Sequence, residues 1–309
     1  MPEAVVFIAF LEASVRLGVP LALAAMGEAI TERSGVINIG LEGSLIAGAL
    51  GGAMGAMAFG GAGGGLLVGA AAGAFGAFVF AAFSIGLGTD QIITGTAITL
   101  GGLGFTGAIY QARFGATGAV LSIPTLAPTP IPVLSDIPLV GTALFAQAPT
   151  AYLAYLLAPA LWYFLYRTEW GLELRAVGED PDSAEAAGVR VLWTRFWATI
   201  FGGTMAGIAG AHLVLAHAGT FAENMSAGRG FIAIAVVVLG RWNPLLVLLA
   251  ALFFGAANAL QFQGQAFGLD VPYQLFLAFP YLLTLAALAL GVGRSRAPAA
   301  LALPWPKQE

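Results

Sequence analysis

The sequence predicts an all-α integral membrane protein. It reads as a polytopic bundle of about eight to ten transmembrane helices, some broken or half-length, each full span needing roughly 20 apolar residues. Three observations carry this reading. Of 309 residues, 59% are hydrophobic and only 9% charged, whereas a soluble domain carries about 45–50% and about 25%. Apolar runs of spanning length recur along the whole chain, and many of the 43 glycines fall inside them. Small residues in such runs let helices approach closely in lipid.

Residues 1–309 read as a single transmembrane domain, with candidate spans near 4–26, 36–59, 63–87, 91–112, 150–166, 196–219, 229–240, 244–262 and 272–292. Before the first of these, Met1-Pro2-Glu3 is acidic where a cleaved signal would be basic, so the run reads as a retained helix. The second span carries Asn38 and Glu42. Along the third, Gly61, Gly65, Gly69 and Gly73 recur every four residues and form one ridge that wants a helix against it. The sixth span offers Gly203 and Gly207 in return. The ridge reads first as the ordinary tight packing of membrane helices, with a contact to a second subunit as the alternative if one chain does not supply enough.

Between the fourth and fifth spans, 114–149 lacks Lys and Arg and holds Pro124, Pro128, Pro130, Pro132, Pro138 and Pro149. It reads as an external, partly extended loop. The charged stretch 167–195, with Arg167, Arg175, Arg190 and Arg195, faces the cytoplasm by the positive-inside rule. Arg294, Arg296 and Lys307 put the C-terminal tail on that same side, and counting spans backwards puts Asp90 inside and the N-terminus outside. The run at 229–240 is too short to cross, and Arg241-Trp-Asn-Pro244 breaks it, because a residue before proline avoids the helical region.

Several chemistries are excluded or disfavoured. A Walker A loop needs a lysine after its glycines, and the only lysine is Lys307, so this chain is no P-loop ATPase. Gly102–Gly107 matches a dinucleotide fingerprint but sits inside an apolar helix rather than after a strand. His212 and His217 lack a carboxylate cluster, and cysteine is absent; no metal site, cofactor or catalytic residue is expected. A net charge of −4 argues against a nucleic-acid partner.

The stretch Gly171–Arg190 is locally unambiguous. Asp180 is an N-cap, Pro181 occupies the first helical position, and Gly188 supplies a left-handed stop. A helix over 181–187 follows, too short to stand alone in water. It leans either on the protein's own face or on a partner.

Three stretches resemble the branched-chain amino acid and simple sugar permease family of ABC importers, nucleoside branch. They are Glu32–Gly43 (ERSGVINIGLEG), Arg175-Ala-Val-Gly178 with Ala186-Ala-Gly188, and Gly228–Pro244 (GRGFIAIAVVVLGRWNP). The match is closest to the shorter of two paired nucleoside permeases. The resemblance implies a multi-pass subunit of the plasma membrane, with ATP hydrolysis on a separate cytoplasmic ATPase. It also implies a second homologous permease and an external binding protein or lipoprotein. It makes Arg175, Gly178, Asp180, Pro181, Glu185, Ala187 and Gly188 candidates for ATPase coupling.

Asn38 and Glu42, four apart, share a helix face. A carboxylate at membrane depth costs about 2.5–3.5 kcal/mol, so it faces either a polar path or a structural partner; both readings stand. Arg229 and Asn243, in the third stretch, complete the candidate path. Within the class, a simple sugar or branched-chain amino acid permease is the alternative. From another class, an ion-coupled carrier would use Glu12 and Glu42.

Overall fold

A computed structural model describes residues 2–115, 123–266 and 297–306, with isolated positions at 278, 282 and 285. The described residues form a helical membrane bundle without strands. Its helices are α1 (Pro2–Arg33), α2 (Leu41–Phe59), α3 (Ala62–Ala81), α4 (Gln91–Phe114), α5 (Gly141–Phe145), α6 (Pro149–Arg167), α7 (Glu169–Glu179), α8 (Pro181–Ala186), α9 (Val191–His212), α10 (Arg229–Leu239) and α11 (Pro244–Ala266). A π-turn extends α3 to Gly86 and another extends α9 to Ala218. Among the described residues, six helices are long and apolar enough to cross a membrane. The apolar α6, at 19 residues, accompanies them. The expected span at 272–292 lies outside the described residues.

Two boundaries differ from the sequence reading. The first span does not end near 26; α1 runs on to Arg33, because Glu28 and Glu32 are buried rather than solvated. The second does not start at 36. Residues 34–40 form an irregular segment that turns at Gly35, φ +90°, and α2 begins only at Leu41. The short run at 229–240 is α10, whose 11 residues rise about 16 Å, half of the roughly 30 Å hydrocarbon core.

The glycine ridge is filled from within the chain. A Cβ at Gly65 would sit 2.6 Å from the carbonyl of Gly52, and one at Gly69 would sit 2.6 Å from Cβ of Ala211 and 2.9 Å from the carbonyl of Gly48. At Gly73 it would meet the backbone of Gly203 and Gly207. Thus α3 lies in the groove between α2 and α9, backbone against backbone. This is the tight helix packing that the spacing predicts, and the alternative of a subunit contact along Gly65–Gly73 is not needed: Gly48, Gly52, Gly203 and Gly207 together supply what the sixth span alone does not. Gly61 alone of the four faces open space.

The two ends of α9 order the rest. Near its start lie α7, α8, the 34–40 segment and residues 297–306; Gln91, at the head of α4, accepts from the Ile37 amide at 2.9 Å. Near its far end, His212 Nδ1 lies 2.6 Å from Thr150 Oγ1, and the Leu126 amide donates to the carbonyl of Leu215. The proline-rich segment is tied at that end, where Thr129 and Ile131 amides donate to the carbonyls of Gln147 and Phe145. Exposed Trp170, Trp193 and Trp197 ring the α7 end, as amphipathic indoles do where bilayer meets water.

Candidate functional site

The broken helix is held by a carboxylate. Glu42, in the first turn of α2, accepts from the Gly228 amide at 2.8 Å and from the Gly230 amide at 2.5 Å. These are among the orphan donors that every helix start presents, so Glu42 caps α10 from a different helix and meets the positive end of its dipole. Gly228 adopts φ +80° to enter the helix. A Cβ at Gly230 would collide with the backbone of Glu42, so the close approach requires glycine. Arg229, between the two capped amides, turns Nη1 back to the carbonyls of Met225 and Ser226 at 2.9 and 3.1 Å.

A buried polar group follows α1 and the 34–40 segment from near this junction to Trp242, beyond the other end of α10. The Asn38 amide donates to Oε1 of Glu28 at 2.8 Å, and Trp242 Nε1 donates to Oε2 of Glu32 at 2.5 Å. Glu28, Glu32, Asn38 and Glu42 are 0%, 1%, 0% and 2% exposed. Both ends of the Asn38 carboxamide, Oε2 of Glu28 and Oε1 of Glu32 have no hydrogen-bond partner among the described residues. Buried polar atoms in native proteins are normally satisfied by protein or water, which marks this as a place for hydration or a polar solute. Asn243 sits elsewhere: it is at the opposite end of α10, where its Oδ1 accepts from the Leu245 amide at 3.0 Å and begins α11. Hence Glu42 meets the backbone on either side of Arg229, Asn38 lies one turn before Glu42 with its amide on Glu28, and Asn243 stands apart.

Glu28 is not among the residues that the sequence singles out, and Glu32 enters there only as the head of the ERSGVINIGLEG stretch. Their four-residue spacing on the α1 face that meets Asn38 was the available signal. An apolar groove of about 750 Å³ opens next to the junction between α2, α3 and α4, with Gly43 in its wall and Thr89, Thr94 and Thr106 among its polar groups.

At the α7 end, α8 has the ends its letters dictate. Asp180 accepts from the amide and the hydroxyl of Ser183, at 3.2 and 2.5 Å; these bonds to the ionised form hold its carboxyl below the usual range. Pro181 is the first helical residue, Ala187 closes the helix, and Gly188 leaves it at φ +91°. Pro181 and Ala184 are buried, Ala184 against Val177 and Val191; Asp182, Glu185, Ala187 and Gly188 point outward. The helix therefore leans on its own protein along one side and presents the other. Gly178 is buried where a Cβ would strike the carbonyl of Arg33, and the Arg175 guanidinium lies 5.2 Å from the Tyr166 ring centre.

Gly188 offers a clean test of the stop. Nothing lies within 4 Å of a Cβ there, so Gly188→Val introduces backbone strain without a clash, about 1–3 kcal/mol for a non-glycine residue in this region. The expected outcome is normal membrane insertion with reduced stimulation of any ATPase that docks on α8, read as hydrolysis by the co-purified complex.

The comparisons with known proteins agree with this architecture. Residues 10–288 match the family described as branched-chain amino acid transport system / permease component. The chain is 39% identical over 307 residues to the "Putative glucose ABC transporter permease protein TsgC13" of Haloferax volcanii, covering 92% of each chain. To the guanosine ABC transporter permease protein NupQ of Bacillus subtilis it is 37% identical over 297 residues, 93% of each. To the nucleoside ABC transporter permease protein NupC of Lactococcus lactis it is 32% identical over 291 residues, 91% of each. Each of these organisms also has a second ABC transporter permease protein that matches part of this chain, namely TsgB13, NupP and NupB. No solved structure matches. With a family match over most of its length, full-length likeness to named permeases and a bundle of membrane-crossing helices, the chain belongs to the branched-chain amino acid transport system permease family of ABC transporters.

Proposed function

We propose that this chain is the membrane-spanning permease subunit of an ATP-driven importer in the plasma membrane, passing nucleosides or related ribosyl compounds inward. The observation that carries the reading is the near-complete alignment with the guanosine permease protein. ATP is hydrolysed on a separate cytoplasmic subunit that docks on the exposed side of α8, and an external binding protein delivers the solute. The solute path runs beside Asn38 and Glu42, where buried polar atoms await partners and the α10 helix is interrupted. Nucleotide drives the cycle only through its differential affinity for the two access states. A second reading, a sugar permease, rests on the similarity to the Haloferax protein. The ion-coupled carrier is set aside, because the family is one of ABC permeases.

The paired permeases in relatives' organisms support a heterodimer of this chain with a homologous partner. The test is reconstitution in vesicles of the chain with its ATPase, binding protein and second permease. ATP-dependent uptake of labelled guanosine, lost when the second permease is omitted, is the expected result. Full uptake without that second permease would make the transporter a homodimer, and uptake of glucose but not guanosine would transfer the reading to sugars.

A further inference from the structure

Residues 298–305 lie across the junction between α8 and the 34–40 segment. The Ala299 amide donates to Oε2 of Glu179 at 3.3 Å, and the Ala300 amide to the carbonyl of Gly178 at 2.9 Å, so one end is fixed to the close of α7. The Ala302 amide donates to the carbonyl of Gly35 at 3.1 Å, reaching the turn between α1 and α2. Arg195, buried near the start of α9, joins the same turn to the same segment. Its Nε donates to the carbonyl of Ser34 at 3.2 Å and its Nη1 to that of Leu303 at 3.0 Å. Finally, Trp305 Nε1 donates to Oδ1 of Asp182 in α8 at 2.9 Å, while its ring packs on the cluster of Val177, Ala184 and Val191.

The segment thus reinforces a junction that the close packing of Gly178 on Arg33 already begins, and it adds a direct side-chain tie to α8. On one side is the short helix that receives the ATPase; on the other is the turn that leads, within a few residues, to Asn38 and Glu42. Six amide, indole and guanidinium donors hold it or the turn; side chains of α7 and α9 bond its backbone, and one of α8 bonds its Trp305 indole.

We propose that residues 298–305 are a strap that carries displacement of α8 to the α1–α2 turn, with Trp305 and Arg195 as positioning residues for coupling. Movement of α8 pulls on Trp305; the strap and Arg195 then shift Ser34 and Gly35, and with them the start of α2 and the α10 terminus that Glu42 holds. The proposal rests on α8 being the ATPase dock.

The complete transporter, with ATPase, second permease and binding protein, is the material for the test. Two variants are compared with the parent, one ending at Arg296 and the other Trp305→Phe, which keeps an aromatic ring but removes the N–H donor. Co-purified ATPase, hydrolysis stimulated by binding protein and solute uptake are measured in one preparation. The expected result is retained ATPase and retained hydrolysis, with uptake per ATP falling about two- to tenfold for Trp305→Phe, the range one lost hydrogen bond allows, and further for the truncation. Unchanged uptake per ATP in Trp305→Phe overturns the strap, whether or not the truncated chain accumulates. So does a proportional fall of hydrolysis and uptake, which would make the segment a support for the dock alone. If the parent chain itself retains no ATPase, the docking reading fails instead, and the two failures are told apart in the first measurement.

Discussion

Gly69→Leu is expected to abolish accumulation of this chain in the membrane, even when it is expressed without any partner. The Cβ of the new residue would begin 2.6 Å from Ala211, 2.9 Å from the Gly48 carbonyl and 3.2 Å from that of Gly207, so α2 and α9 would both have to retreat before the remaining carbons were placed. Overpacking a dense interior typically costs about 1–3 kcal/mol; here backbone rather than a flexible side chain must yield, which puts the cost at the upper end or above. The control is Gly61→Ala, on the same ridge but with nothing within 4 Å, which should accumulate as the parent does. If Gly69→Leu accumulates alone and loses only its complex, the ridge is a subunit contact and the internal packing has been misjudged.

The second large effect concerns Glu42. Glutamine at this position keeps one acceptor oxygen but opposes the other amide with its own N–H₂, leaving one buried donor unsatisfied at about 1–3 kcal/mol. Leucine orphans both donors and should cost roughly twice that. Thermal midpoints of the detergent-purified chain should therefore fall in the order parent, Glu42→Gln, Glu42→Leu. Asn38→Leu should behave in the opposite way: its carboxamide has no partner to lose, so stability is spared while uptake falls, because the polar surface beside the path is gone. A Glu42→Gln protein as stable as the parent would show that the cap contributes little.

How much of this was readable from the letters differs by element and for physical reasons. The ends of α8 were legible because capping is local: Asp180, Pro181 and Gly188 state their roles within one turn. The half-length of α10 was legible because length against hydrocarbon thickness needs only a count. The last turns of α1 were not, since Glu28 and Glu32 look like a solvated exit until their partners, the Asn38 amide and the Trp242 indole, are known. Likewise the irregular 34–40 segment hides inside an apolar run. For Glu42 a structural partner was one of two readings left open, and which partner was beyond the letters: it is a pair of main-chain amides 186 and 188 residues away, and a backbone amide has no letter of its own.

The cap that α2 lends to α10 also bears on how the chain is made. A helix of 11 residues is too short to be released into lipid as an independent span, and its bare amides would be costly there. Because synthesis proceeds from the N-terminus, the carboxylate that satisfies them is already in place before Arg229 leaves the ribosome. Insertion of α10 is then a docking event onto a finished surface rather than a partitioning event into bilayer, and α11 follows as the return limb. Order of emergence thereby substitutes for hydrophobic length: a permuted chain that delivered α10 ahead of α2 would hold the same residues yet present the insertion machinery with a segment it could not release.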